Sequence, residues 1–176
     1  MGKIKWGILA TGNIACQFAE ALKYVKDAEI RAVASRDISR ADKFALKYGI
    51  KQCYGDYRRL AENKELDIVY IGTPNSCHIQ DAIMLMDNGK HVLCEKPLSA
   101  NAKEAEAMIQ KAKENDVFFM EGMWTRFFPA VRKGMEWIAQ GRIGKPRSLY
   151  ASLGLDVGSK KDAMWRFNTA MAGGGR

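Results

Sequence analysis

The stretch that most limits how this chain can fold is Ile4 to Leu22, IKWGILATGNIACQFAEAL, where an apolar run meets a turn of small residues and then helical spacing. Ile4, Trp6, Ile8 and Leu9 predict a buried strand, and Ile14, Phe18, Ala21 and Leu22 predict a helix. The turn between them carries Ala10, Gly12 and Ala15 at the spacing of G-x-G-x-x-G/A, with alanine at the first glycine position. Lacking a Cβ, Gly12 lets a pyrophosphate reach the backbone and the positive dipole end of the following helix. The candidate phosphate-binding residues are therefore Ala10, Gly12, Asn13 and Ile14. By itself the turn is unspecific, because strand, turn and helix follow one another in many α/β proteins that hold no nucleotide.

A chain of 176 residues has room for one well-buried domain of about 120–150 residues and a remainder. No apolar run approaches the roughly 20 residues a membrane span requires. The first strand begins within a few residues of Met1, which leaves no space for a signal peptide, so a cytoplasmic protein is expected. Cys16, Cys53, Cys77 and Cys94 lack C-x-x-C spacing and sit beside apolar segments, so they are expected as buried thiols. With only His78 and His91 to join them, no metal site is expected. The net charge of +8 comes from basic residues scattered without a compact run among aromatics. That pattern argues against nucleic acid and suits a solvated surface, or a field that draws in an anionic cofactor.

Further along, Ile30 to Ala34 predicts a second strand that ends at Ser35-Arg36-Asp37. This is where a dinucleotide fold chooses between cofactors: an acid grips the ribose 2′-hydroxyl of NAD, whereas hydroxyl and guanidinium groups hold the 2′-phosphate of NADP. Ser35 and Arg36 suit the phosphate, and Arg40 adds a second positive charge. An ordinary exposed turn arginine is the alternative for Arg36. Asp37 is expected to turn outward and help start a helix, for which Ser39 to Asp42 resembles a capping box.

A short strand near Cys53-Tyr54, a brief helix carrying Tyr57, Leu60 and Ala61, and a strand at Ile68 to Gly72 come next. After that strand, Thr73, Pro74 and Asn75 are placed to face a ligand, with turn formation as the alternative for Asn75. His78 begins a helix, where it either fixes the loop or touches the ligand. His91 to Cys94 predicts a fifth strand running into Glu95-Lys96-Pro97. The chemistry is placed here, with Lys96 donating a hydrogen bond to a substrate oxygen or serving as general acid/base. The alternative is a surface ion pair between Glu95 and Lys96. A helix from Asn101 to Asn115 and a strand at Val117 to Met120 complete the count, followed by the aromatic stretch Trp124 to Pro129, a last helix and a strand-like Leu149 to Leu153. Six strands alternating with helices predict a Rossmann-type doubly wound parallel α/β sheet over residues 1–122, with the beginning of a second α/β domain over 123–176.

GILATGNIA, VASRD, IGTPNSCH, CEKPLS and EGMWTRFFP occur in the order shown by the Gfo/Idh/MocA oxidoreductase family, which the chain resembles along essentially its whole length. Within that family it is most similar to the dihydrodiol and D-xylose dehydrogenase branch. The resemblance implies NADP as cofactor, a sugar, polyol or diol as the alcohol substrate, and a homo-oligomer. It also implies that Lys96 is catalytic, that Glu95 and the Trp165-Arg166 pair lie near cofactor or substrate, and that the bond before Pro97 is cis. Family members are roughly twice this length, and residues matching Gly173-Gly174-Gly175 lead in them to an Asp and then a His or Tyr. A truncated chain is therefore expected. A catalytically inactive NADP-binding or partner-binding protein, its sheet completed by another subunit, is the alternative function.

Overall fold

In the computed structural model, residues 2–152, 154 and 168–172 are described. Six strands, β1 (Ile4–Leu9), β2 (Ala28–Ala34), β3 (Gln52–Tyr54), β4 (Ile68–Ile71), β5 (His91–Cys94) and β6 (Phe119–Glu121), form one sheet in the order β3-β2-β1-β4-β5-β6. Every pairing is parallel. The helices are α1 (Asn13–Leu22), α2 (Ile38–Tyr48), α3 (Tyr57–Ala61), α4 (His78–Asp87) and α5 (Ala102–Glu114), with a 3₁₀ turn at Asn75–Cys77. Because the order reverses between β1 and β4, their carboxyl ends splay apart and leave a crevice.

Alternation along the strands builds two cores. Ile8, Val33 and Tyr70 point to one face, where they meet Ala15, Ala19 and Phe44 from α1 and α2. Leu9, Ala32, Ala34, Val69 and Ile71 point to the other, against Leu60, Leu85, Met86 and Met108 from α3, α4 and α5. Both faces are therefore covered, which is the condition for an all-parallel sheet. Gly7 packs closely, since a Cβ there would lie 2.8 Å from Leu66 Cδ1 and would require that side chain to shift.

These elements through Gly122, together with α7 (Thr169–Ala172), belong to one compact unit. A second unit spans Met123–Met164 and contains a 3₁₀ turn at Trp124–Phe127 and α6 (Pro129–Ala139). Leu149 and Tyr150, expected as strand, pair with no strand among the described residues and are almost fully exposed. No helix among the described residues is long and apolar enough to cross a membrane.

Three further expectations change. The cap of α2 is Asp37 and not Ser39: Asp37 Oδ1 accepts from Ser39 N at 2.9 Å and from Ser39 Oγ at 2.8 Å. A carboxylate is the stronger acceptor, and its bond to the Ser39 hydroxyl holds its own ionisation below the usual carboxylate range. Strand β6 begins two residues later than expected, because Val117 N still closes α5 by donating to Ala112 O, beyond a positive φ of 50° at Asp116. Of the four cysteines only Cys94 is buried; Cys16, Cys53 and Cys77 are partly exposed.

Candidate functional site

A groove of about 930 Å³ opens along the carboxyl ends of the strands. The loops after β1, β2, β4 and β5 supply most of its wall. The β1 loop contributes Ala10, Thr11, Gly12, Asn13 and Ile14, and the β2 loop contributes Ser35, Arg36, Asp37 and Arg40. Gly72, Thr73, Pro74 and Asn75 follow β4, and Glu95, Lys96 and Pro97 follow β5.

Ala10 occupies the turn with φ of 85°, which an L side chain seldom adopts, and its N–H donates to Ala34 O at 2.9 Å. The backbone here asks for the glycine that the motif usually has. Ala10→Gly is expected to raise the unfolding free energy by up to about 1 kcal/mol, since relief of roughly 1–2 kcal/mol exceeds about 0.5–1 kcal/mol of added unfolded-chain freedom. Urea unfolding, read at constant m-value, measures it.

Two residues on, Gly12 has an ordinary extended backbone with φ of −76°, and a Cβ built on it would meet nothing within 4 Å. Neither its conformation nor the packing of this chain requires glycine there. Gly12 also precedes α1 without any side-chain cap, and the first turn of α1 has no acidic residue. The helix therefore presents its first N–H groups and positive end to the groove. Open space at a glycine beside an uncapped helix end fits the phosphates of a dinucleotide.

At the β2 end, Ser35 is buried and its Oγ accepts from Asp37 N at 3.3 Å. Arg36 is exposed on the groove wall. Arg40 Nε lies 3.7 Å from Asp37 Oδ2.

After β5, both oxygens of Glu95 are engaged. Oε1 accepts from the Tyr70 hydroxyl at 2.8 Å, and Oε2 accepts from Lys96 N at 3.2 Å. Tyr70 is almost wholly buried and stacks on Phe18 with ring centroids 3.9 Å apart. Burial first, and then the Glu95 charge, push its phenol far above the ordinary range, so it remains a donor. The Glu95–Lys96 ion pair considered from the sequence is absent, and among the described residues the Lys96 ammonium has no hydrogen-bond or ion-pair partner. The Lys96 side chain lines the groove. Leu98 N, donating to Glu121 Oε1 at 2.9 Å, holds the following backbone, and the Lys96-Pro97 peptide is cis.

His78 is placed differently from a ligand contact. Its ring is fully buried, with Nδ1 3.0 Å from Pro97 O and Nε2 3.0 Å from Thr73 O, so it ties the β4 loop to the β5 loop from behind. Asn75 lines the groove, and its Nδ2 donates one hydrogen bond to Ala172 O at 2.8 Å. Ala172, on α7, thereby adds a wall to the groove. Trp165 and Arg166 lie outside the described residues. Thr11, Tyr57, Gly72, Pro97 and Ala172 also line the groove without having been singled out as candidates. Tyr57 follows β3 as the other loops follow their strands, but the sequence offers it only as one residue of a brief helix with Leu60 and Ala61.

Residues 4–123 match the model of an oxidoreductase family with an NAD-binding Rossmann fold. The chain is 40% identical over 153 residues to a trans-1,2-dihydrobenzene-1,2-diol dehydrogenase of Danio rerio, covering 86% of this chain and 46% of that protein. It is 39% identical over 174 residues to the enzyme of the same name from Bos taurus, covering 98% and 51%. Among solved structures it is similar to an NAD-binding oxidoreductase from Klebsiella pneumoniae, with a TM-score of 0.77 and 31% identity over 82% of this chain and 41% of that one. The chain thus spans about half the length of the curated relatives it matches.

Proposed function

The chain belongs to the Gfo/Idh/MocA oxidoreductase family, and from that membership we propose that it is the cofactor-binding part of an NADP-dependent dehydrogenase acting on a diol, polyol or sugar. The observation that carries the reading is the open side of Gly12 at the uncapped start of α1. The first-turn N–H groups of α1 hold the pyrophosphate there, at no cost in charged side chains. Ser35, Arg36 and Arg40 take the adenosine end and its 2′-phosphate, beside Asp37, which was expected to turn outward but lines the groove while its Oδ1 caps α2. When bound, the nicotinamide supplies the acceptor or donor of hydride. Lys96, which has no counterion among the described residues and whose backbone N–H is held by Glu95 and through it by Tyr70, directs its ammonium at the substrate hydroxyl, where it donates to the oxygen and stabilises negative charge developing on it. The diol substrates named for the similar vertebrate enzymes agree with this role.

The test is titration of the chain with NADPH and with NADH, followed by tryptophan fluorescence. Binding of NADPH is expected, and Arg36→Ala should weaken it about 10- to 100-fold, the worth of a hydrogen bond to a charged group, with NADH affected less than about threefold. A folded chain with no affinity for either cofactor rejects the reading.

A further inference from the structure

We propose that Asp81 is a positioning residue for cofactor binding: by accepting the hydrogen bond of the Thr73 hydroxyl it fixes that groove-lining side chain as an acceptor, which receives a hydroxyl of the ribose on the nicotinamide side of the pyrophosphate. The inference rests on the cofactor reading above and extends it to a residue behind the groove wall.

A buried carboxylate is costly to keep unless the structure makes use of it. Asp81 stands in the first turn of α4 and is only 8% exposed, yet no lysine, arginine or histidine pairs with it among the described residues. The positive end of α4 offsets part of the cost. The one hydrogen bond that the carboxylate makes among the described residues is to a neutral group: Thr73 Oγ1, in a residue that is also buried, donates to Asp81 Oδ2 at 2.7 Å. Burial pushes the ionisation of Asp81 up, and this bond pulls it back toward the charged form. Three residues earlier on α4, His78 Nε2 lies 3.0 Å from Thr73 O. Positions three apart share a helix face, so the first turn of α4 meets Thr73 at both its carbonyl and its hydroxyl. His78 acts on the backbone of the loop, and Asp81 acts on the side chain alone.

A threonine hydroxyl has one hydrogen to give. With it committed to Asp81, only lone pairs remain on Thr73 Oγ1, so in the groove Thr73 accepts from a donor and disfavours a phosphate oxygen, which has nothing to donate. The sheet order says which donor. The proposed phosphate site follows β1, Lys96 follows β5, and β4 lies between those two strands. Thr73, two residues past the end of β4, therefore stands between the pyrophosphate and the reacting end of the cofactor, where the dinucleotide carries a ribose with two free hydroxyls. Holding the acceptor in one sense before the cofactor arrives leaves less to be ordered on binding.

Isothermal titration calorimetry on the 176-residue chain tests this with two ligands, NADPH and adenosine 2′,5′-bisphosphate, which has the adenosine end and no second ribose. Asp81→Asn keeps the shape of the side chain, but its amide can donate to Thr73 Oγ1 as well as accept from it, so the hydroxyl loses its fixed sense. The substitution is expected to weaken NADPH about five- to tenfold and to leave the bisphosphate within about twofold. In a double-mutant cycle Asp81→Asn adds nothing once Thr73→Val has removed the hydroxyl, and Thr73→Ser regains most of the affinity that Thr73→Val loses. Urea unfolding verifies that each variant is folded. Equal weakening of both ligands, an effect of Asp81→Asn that persists without the Thr73 hydroxyl, loss of the fold in Asp81→Asn, or NADPH affinity that Asp81→Asn leaves unchanged overturns the role of Asp81 and leaves the cofactor reading standing. A parent that binds neither NADPH nor NADH overturns both.

Discussion

Gly12→Val is expected to lower NADP(H) affinity by at least about 100-fold, while the unfolding free energy stays within about 1 kcal/mol of the parent. The two halves of this result have separate causes. The backbone at Gly12 is extended, which a β-branched residue accepts readily, and nothing within 4 Å opposes the new Cβ. Stability is therefore touched only through the weaker capping preference of valine. Yet the side chain would project beside the first N–H groups of α1, at the place where the proposed function puts the phosphates against the backbone. Urea unfolding and cofactor titration on the same sample measure both. A variant that unfolds at much lower denaturant would mean that Gly12 serves the fold, and one that binds normally would place the phosphates elsewhere.

His78→Ala is expected to have the opposite signature, destabilising the fold by about 3–5 kcal/mol. The ring is inaccessible to solvent, and both nitrogens lie 3.0 Å from backbone carbonyls in different loops. Truncation removes the one N–H that a neutral ring can donate to Thr73 O or Pro97 O, together with the ring that bridges the two loops, and opens a cavity that the surrounding strands are too well packed to close. The loops so released carry Thr73 and Lys96, so loss of order here reaches the groove without any change in a groove-lining side chain. Chemical denaturation gives the magnitude, and a loss below about 1 kcal/mol would show the carbonyls to be solvated from elsewhere.

Much of the sheet was legible because its signals are local. The apolar run from Ile4 to Leu9 before a small-residue turn, and the glycines at 49 and 89 that end helices with φ of 67° and 68°, act within a few residues of themselves. The capping pair Asn101 and Glu104 is of the same kind, with Glu104 N donating to Asn101 Oδ1 at 3.0 Å. What escaped depends on partners distant in the chain. The amide of Asn75 is used by Ala172, and nothing near Asn75 announces it. In the same way, the EKP segment suggests an ion pair between adjacent side chains, whereas the carboxylate of Glu95 is claimed by a phenol 25 positions earlier. Leu149 and Tyr150 carry strand-forming side chains but find no strand to pair with among the described residues.

The Asn75–Ala172 hydrogen bond joins positions 97 apart. Closing so wide a loop costs entropy that grows only with the logarithm of its length, so doubling the chain between the two ends would cost just about 0.6 kcal/mol more. The stretch beyond β6 can consequently lengthen or shorten at little entropic cost while the groove keeps Ala172 in its wall.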